Sequence, residues 1–467
     1  MILYRTLRQL ARIALGWYYA DVEIEGLERM PSSGSVLLVA NHPNALVDAM
    51  AVAVAVPRRV LLTAKATLFE RPMLAALLRT VGVVPLRRTR DEHGTGNSAP
   101  AATVRNADAF RMVTSALAAD GVVLVFPEGI SHDAPSLAPL KTGAARMALM
   151  AHDAGVHAVR IVAVGLIYEA KEQPRSRLLV RIGDALDLDV WLATSGGDAS
   201  ALTAEIDQRL RRVTLNFGSE PRARRAARLG RTLAAATAEV SPLDRPRSLA
   251  PEAEFAHRVD RATEALAAAP PSVVRQADEF IDDAEAFERR LDARGVALSE
   301  LRVSPRVRHG AWFLLRELSL LALAFPVALL DRLAHDAPVR LARTITRRSL
   351  ITDPSRDQPA MRTIVLAAAA LLVWYLVLGI AIDRWLGPGA ALLVLAVLVL
   401  SASSELALRD RLTRAWRRAR TFLVLRADPA FRSSAVAEAD RLLERARRLE
   451  RALLSEGPLP PEPRSVA

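Results

Sequence analysis

Ser35-Val36-Leu37-Leu38-Val39-Ala40-Asn41-His42-Pro43-Asn44-Ala45-Leu46-Val47-Asp48 reads in three parts: an unbroken apolar run, a turn rich in Asn and Pro, and the opening of a helix. An apolar run of this length without polar alternation suits a strand covered on both faces, as in a largely parallel sheet flanked by helices. The same unit recurs along the chain. Residues 59–64, 81–86, 122–126, 160–167 and 177–182 are further short runs rich in Val, Leu and Ile. Helix-like stretches at 46–56, 72–80, 104–119 and 142–153 separate them. The alternation predicts an α/β domain with a mixed, buried sheet, closed by a helix at 201–215. Residues 91–102, with Gly94, Gly96, Asn97, Ser98 and Pro100, have the composition of a surface loop.

Strand ends are where such sheets place chemistry, because ligands bind in the crevice beyond the carboxyl ends of the strands. His42 stands at one such end. Asp48, one to two helical turns on, can reach back to fix the imidazole tautomer and balance an imidazolium charge. Taken alone, a His-Pro turn is more often a structural device. A second strand end carries Phe126-Pro127-Glu128-Gly129-Ile130-Ser131-His132-Asp133, where an acid, a glycine and polar side chains gather as at a binding rim. Gly82-Val83-Val84-Pro85-Leu86-Arg87-Arg88 and Val162-Ala163-Val164-Gly165-Leu166-Ile167-Tyr168 share that placement. Each is dull alone; the order of the four is informative.

In that order the segments resemble the four blocks of the glycerolipid acyltransferases, the lysophospholipid acyltransferase superfamily. The resemblance covers residues 21–184, and Ala64-Lys65-Ala66-Thr67-Leu68-Phe69 is similar to the family's Ala-Lys-x-x-Leu-Phe segment. Departures refine it. Five residues separate His42 from Asp48 where four are usual, and the third block continues Ile130-Ser131-His132-Asp133 rather than Thr-Arg-Ser. Ala163 stands where the fourth block usually has proline. The longer spacing, together with Pro139-Leu140-Lys141-Thr142-Gly143 and Arg175-Ser176-Arg177, looks like the fungal-type glycerol-3-phosphate/dihydroxyacetone-phosphate acyltransferase branch.

The resemblance implies an acyltransferase fold and transfer of a fatty acyl group from an acyl thioester, acyl-CoA or acyl carrier protein, to a phosphorylated glycerol-type acceptor. His42 would be the general base and Asp48 its orienting carboxylate, with no covalent enzyme intermediate and no cofactor. Glu128 and Gly129 would shape the acceptor pocket. Arg88, Lys65 and Lys141 are the candidates for holding the acceptor phosphate, since the third-block arginine is missing. Ser131 and His132 are candidate substrate contacts, with a turn-stabilising role equally open for Ser131. The alternatives are acylation of lysophosphatidic acid or another lysophospholipid and, in a different class, a catalytically silent protein that binds anionic lipid.

Composition narrows the partners. Sixty-three basic against 51 acidic residues leave a net charge of +12, which favours an anionic partner. Aromatic residues are only 5% and form no stacking motif, which argues against nucleic acid. The chain has no cysteine, so disulfides, thiolate metal sites and cysteine nucleophiles are excluded. Only three of its 63 basic residues are lysines, and Lys65 and Lys141 both fall in family-like segments while Lys171 lies nearby. No metal-ligand spacing is present. His93, His152, His157, His257, His309 and His335 read as surface or packing residues.

Residues 363–382 carry no charge over 20 positions, and 386–404 are again uncharged after Asp383-Arg384, which predicts a transmembrane hairpin. Six arginines lie in 339–362 and six more in 409–420. The positive-inside rule then places both flanks, and the catalytic domain, on the cytoplasmic side of the cell inner membrane. The 13-residue run 318–330 is short for a span and better suits a re-entrant segment. The expected organisation is an amphipathic membrane-surface helix at 1–20, a catalytic domain at 21–217 and a helical Arg/Ala-rich linker at 218–301. A membrane region follows at 302–408, then a basic helical tail at 409–467. Residues 1–20 equally suit packing on a core. Arg222, Arg224, Arg225, Arg228 and Arg231 either face phosphate headgroups or line a solvated helix, and Ser433-Ser434 is expected to cap the last helix.

Overall fold

A computed structural model gives the run 36–40 as strand β2 (Val36–Ala40), buried at every position. The described residues are 2–70, 72, 75, 76, 78, 82–86, 107–238, 246–303, 306–352, 359–402 and 404–454. The chain divides into two compact units, Met1–Asn216 with Val327–Leu406 and Phe217–Pro326 with Ala407–Ala467.

In the first unit β2 lies mid-sheet. The other strands are β1 (Asp21–Glu25), β3 (Val60–Lys65), β4 (Val84–Leu86), β5 (Val122–Val125), β6 (Arg160–Tyr168), β7 (Arg177–Ile182) and β8 (Leu186–Asp187). Their order is β1-β7-β6-β2-β5-β3-β4, with β8 beside β6. Every pairing is parallel except β6 with β7 and β6 with β8. These two follow β6 closely in the chain, and a short connection can return only antiparallel. The expected mixed sheet is therefore present. Strand β1 was not among the expected strands: Asp21-Val22-Glu23-Ile24-Glu25 alternates, as suits an edge strand with one wet face.

The alternation of side chains along β2 supplies two cores. Val36, Leu38 and Ala40 pack with Val47, Ala51 and Val52 of α2 (Leu46–Ala55), and with Leu15, Tyr18 and Tyr19 at the end of α1 (Ile2–Tyr18). Leu37 and Val39 face the other way, onto α3 (Ala107–Ala118), α4 (Gly143–Asp153) and α6 (Ala199–Val213). A short helix α5 (Leu188–Ser195) joins β8 to α6. Each fully buried Val or Leu contributes ~1.5–3 kcal/mol of transfer free energy. The fourth-block glycine is a packing device: a Cβ on Gly165 would lie 1.9 Å from the Val213 carbonyl oxygen at the end of α6.

Helix α1 packs as well as presenting an apolar exterior. Arg8 donates to the Val54 and Val56 carbonyls at the end of α2 (3.2 and 2.7 Å). Arg175 donates to the carbonyls of Gly16, Trp17 and Tyr19 (2.8, 3.1 and 2.9 Å). Ile2, Leu10 and Ile13 remain exposed on the outer side.

The second unit is helical, built on α7 (Glu220–Thr237), α8 (Ala250–Ala265) and α9 (Pro271–Ala293). Arg222 pairs with Asp260 at 2.7 Å, and Arg228 with Glu285 and Glu288 at 3.0 and 2.9 Å. These two arginines of the cluster are thus engaged by acids from other helices, which the local sequence does not reveal.

Three long helices follow: α10 (Val307–Thr352), α11 (Pro359–Leu386) and α12 (Pro388–Ser401), the last two answering to the expected hairpin. Three stretches, Arg308–Arg348, Ala360–Leu386 and Pro388–Ala427, are long and apolar enough to cross a membrane. The reversal that a re-entrant segment needs is absent, since 318–330 lies inside the continuous α10. Counting charges ended that run at Glu317 and Asp331, but both are internally paired. Glu317 accepts from Arg411 (2.7 and 2.9 Å), and Asp331 meets the buried His335 at 2.5 Å and the Glu405 N–H at 2.8 Å. His335 also meets the Tyr375 hydroxyl at 2.6 Å. After α13 (Ser404–Ala427), the last helix, α14 (Pro429–Leu454), begins one turn before Ser433-Ser434, because Asp428 accepts the Phe431 N–H at 2.9 Å.

Candidate active site

At Asn41 a side chain takes over from the backbone ladder. Its Oδ1 accepts the Leu166 N–H (2.7 Å) and its Nδ2 donates to the Leu166 carbonyl (3.0 Å). The amide replaces one rung of the sheet, so the chain can turn away at His42 without orphaning the buried β6 backbone. The His42 ring then lies flat on Phe126, with centroids 3.9 Å apart and planes 14° from parallel. Its Nδ1 is 3.0 Å from Asp48 Oδ2. Among the described residues, Nε2 has no partner.

Asp48 is fully buried in the first turn of α2 and takes two more donors, the Asn44 N–H and the Tyr168 hydroxyl, each at 2.6 Å. Ala45, at a φ of 44°, accommodates the extra residue of the His42–Asp48 spacing, and its N–H is accepted by Ser131 Oγ at 3.2 Å. Burial pushes the Asp48 carboxyl above the usual carboxylate range, and the bonds from His42, Tyr168 and Asn44 pull it back. Burial, with Asp48 beside it, holds the Tyr168 phenol well above its ordinary value, so it remains a protonated donor.

Removing that donor has a definite sign. A bond to the ionised form lowers a carboxyl pKa, so Tyr168→Phe raises that of Asp48 further. If catalysis needs the Asp48 anion, the acid limb of the pH–rate profile moves to higher pH and stability falls by ~2 kcal/mol. The limb measured for purified Tyr168→Phe against wild type checks this; an unmoved limb removes Asp48 from the proton chemistry.

Glu128 is turned inward. It is 2% exposed and accepts the His42 N–H on Oε1 (2.9 Å) and the Ala138 N–H on Oε2 (2.8 Å). His132 Nε2 also meets Oε2. His132 Nδ1 accepts the Ala134 N–H at 3.2 Å, so Nε2 carries the proton given to Glu128. Glu128 therefore ties the second strand-end loop to the first. Gly129 follows at a φ of 70°, where a Cβ would come 3.0 Å from Lys141 Nζ. Lys141 is exposed, with its stem lying over that glycine.

The structure brings His42, Asp48, Glu128, Gly129, Ser131, His132 and Lys141 to one end of the sheet. Lys65 closes β3, and its side chain, like all of Arg88, lies outside the described residues. Sequence reasoning gave no role to the residues that fix the two loops. Asn44 Nδ2 donates to the buried Tyr19 hydroxyl (3.0 Å), which donates to the Lys171 carbonyl (3.2 Å). Lys171 Nζ donates to the Pro43 carbonyl (3.0 Å) and pairs with Asp133. The rarity of lysine was the one available signal for Lys171; nothing local marked Tyr19.

Against this geometry, residues 21–166 match the family model described as Acyltransferase. The chain carries an acyltransferase domain. Part of it is similar to two proteins of Saccharomyces cerevisiae (strain ATCC 204508 / S288c). Glycerol-3-phosphate O-acyltransferase 2 is 40% identical over 87 residues, and glycerol-3-phosphate O-acyltransferase 1 is 38% identical over 89. The matches take in 18% and 19% of this chain and 12% of each yeast protein's length. Among solved structures, the 1-acyl-sn-glycerophosphate (LPA) acyltransferase PlsC of Thermotoga maritima aligns with 45% of this chain and 78% of its own. Its identity is 19% and its TM-score 0.35. Within the acyltransferase domain, both buried carboxylates, Asp48 and Glu128, serve His42: one through its ring, the other through its backbone.

Proposed function

We propose that the acyltransferase domain transfers a fatty acyl group from an acyl thioester to the hydroxyl of glycerol-3-phosphate or dihydroxyacetone phosphate. The observation that carries this is the His42 ring, pinned by Asp48 at Nδ1, with Nε2 unpartnered among the described residues. Nε2 takes the proton of the acceptor hydroxyl as its oxygen attacks the thioester carbonyl. The tetrahedral intermediate collapses with loss of the thiolate, which recovers the proton from His42, leaving an ester and a free thiol. Asp48 stabilises the transient imidazolium and holds the tautomer. The donor is acyl-CoA or acyl carrier protein, and no side chain is acylated.

Phosphate capture falls to Lys65, Arg88 and Lys141, arginine offering two parallel bonds and lysine a point charge. Assays of purified membranes with glycerol-3-phosphate, dihydroxyacetone phosphate and lysophosphatidic acid side by side test the reading. Turnover with either of the first two supports it, and turnover confined to lysophosphatidic acid replaces it with the other acceptor class. Arg88→Ala and Lys65→Ala should each raise KM for the phosphorylated acceptor with little change in kcat; unchanged KM in both moves the phosphate site elsewhere.

The apolar helices and the exposed outer side of α1 support a membrane-bound enzyme whose lipid product leaves directly into the bilayer. The arginine-rich flanks favour the cytoplasmic side of the inner membrane for both ends of the α11–α12 hairpin, and the catalytic domain shares that side, where acyl thioesters and glycerol phosphates are found, when α10 does not cross. With no native cysteine, an impermeant thiol reagent on intact cells should label Asp383→Cys and leave Ser219→Cys unlabelled. The reverse pattern inverts the topology, and labelling at both positions makes α10 a third crossing with the catalytic domain outside.

A further inference from the structure

His152, His157 and Asp189 come together although the chain separates them, and one ligand atom from each lies within 4.8 Å of the others. His152 lies in the last turn of α4, His157 sits in the turn that leads into β6, and Asp189 lies in the first turn of α5. The turn is built for this. Gly155 and Ala158 both take positive φ (85° and 56°), which folds 154–159 back beside α5. The Leu188 N–H bonds the Val159 carbonyl at 3.0 Å, and Asp187 caps α5 while pairing with Arg160 at 2.6 Å.

The electrostatics within the cluster are incomplete. Asp189 Oδ2 accepts the Ala158 N–H at 2.8 Å, which fixes the carboxylate. Its Oδ1 is shut off from solvent and has no hydrogen-bond partner among the described residues. It faces His152 Nε2 at 3.7 Å, beyond hydrogen-bonding reach. That spacing is a few tenths of an ångström wider than the ~3.3–3.4 Å edge of a tetrahedron of ligands ~2.0–2.1 Å from a central ion, which a small side-chain rotation closes. The two imidazoles stand at 84° with centroids 5.4 Å apart, so their lone pairs can converge instead of the rings stacking. Asp153 Oδ1 lies 3.8 Å from His152 Nδ1, on the side where a metal-bound histidine takes its outer acceptor.

The geometry points to a binding site for a zinc-like divalent cation, with His152, His157 and Asp189 as ligands and water in the fourth position. Two imidazoles and one carboxylate are the donors such an ion prefers over calcium or magnesium, which take oxygen shells. The site stands at the opposite end of the sheet from the proposed chemistry. Strand β6 runs nine residues from Arg160 to Tyr168, ~30 Å, between this cluster and Asp48. The ion therefore fastens α4, the turn and α5 together and takes no part in acyl transfer.

The test uses the full-length protein in detergent, stripped with EDTA and titrated with Co²⁺ as a coloured stand-in for Zn²⁺. The expected result is one tetrahedral Co²⁺ per chain, bleached by Zn²⁺, and a Tm that rises when Zn²⁺ is restored. His152→Asn, His157→Asn and Asp189→Asn each lose the band and the Zn²⁺-dependent rise while keeping the metal-free Tm; His257→Asn keeps both. Wild-type protein with no stoichiometric band and no rise in Tm overturns the site. So does a band that survives in the His152→Asn/His157→Asn double variant.

Discussion

His42→Ala lowers kcat by ~10²–10⁴-fold, the range for removing a positioned general base. Two effects combine in that variant: the proton acceptor disappears, and Asp48 keeps its buried carboxylate without its ring partner. His42→Asn separates them, because an amide nitrogen can still donate toward Asp48 while offering no base. Both variants should be inactive, and His42→Asn should unfold at a temperature nearer to wild type. Turnover within a few-fold of wild type in folded His42→Asn would falsify the mechanism and assign the general base to another group.

The second large effect belongs to Glu128, and it discriminates between two roles. Glu128→Ala leaves the buried His42 N–H and the half-buried Ala138 N–H without acceptors. At ~1–3 kcal/mol for each orphaned donor, the loss of stability approaches ~4 kcal/mol. It also frees the backbone that aims the His42 ring, so kcat falls with Tm. Glu128→Gln keeps one acceptor oxygen but turns an NH₂ toward the donors at Oε2, and it should cost about half as much. An acceptor-contacting Glu128, as the family resemblance implies, would instead raise KM and leave unfolding untouched. Chemical denaturation read beside KM and kcat decides which side of the pocket this carboxylate serves.

How much of this was legible in the sequence follows from where each signal resides. The buried strands announce themselves as unbroken Val, Leu and Ile runs because both faces of a central strand are dry. The edge strand β1 alternates over five residues, too few to separate from a polar turn. The ends of the strands could be read because polar residues there interrupt apolar runs, which is how His42 and Glu128 stood out. Their partners could not. Tyr168 reaches Asp48 across 120 positions of chain and Lys171 reaches Pro43 across 128, so only the fold creates these pairs. The same holds for His152 and Asp189, whose separation matches no ligand motif. In the helical half, charge counting gave the hairpin but undervalued α10, since a carboxylate bonded to a neighbour no longer costs what an isolated one does.

Tyr18 and Tyr19 give the first helix a role beyond any contact with a bilayer. Both are nearly inaccessible, and Tyr19 supplies the hydroxyl that holds Asn44 beside Asp48. The family match, however, opens at residue 21. A minimal catalytic fragment trimmed to that boundary would start three residues too late to keep both. It would carry every block of the signature, yet lack the plug of its own interior and one of the pegs of the His42 loop.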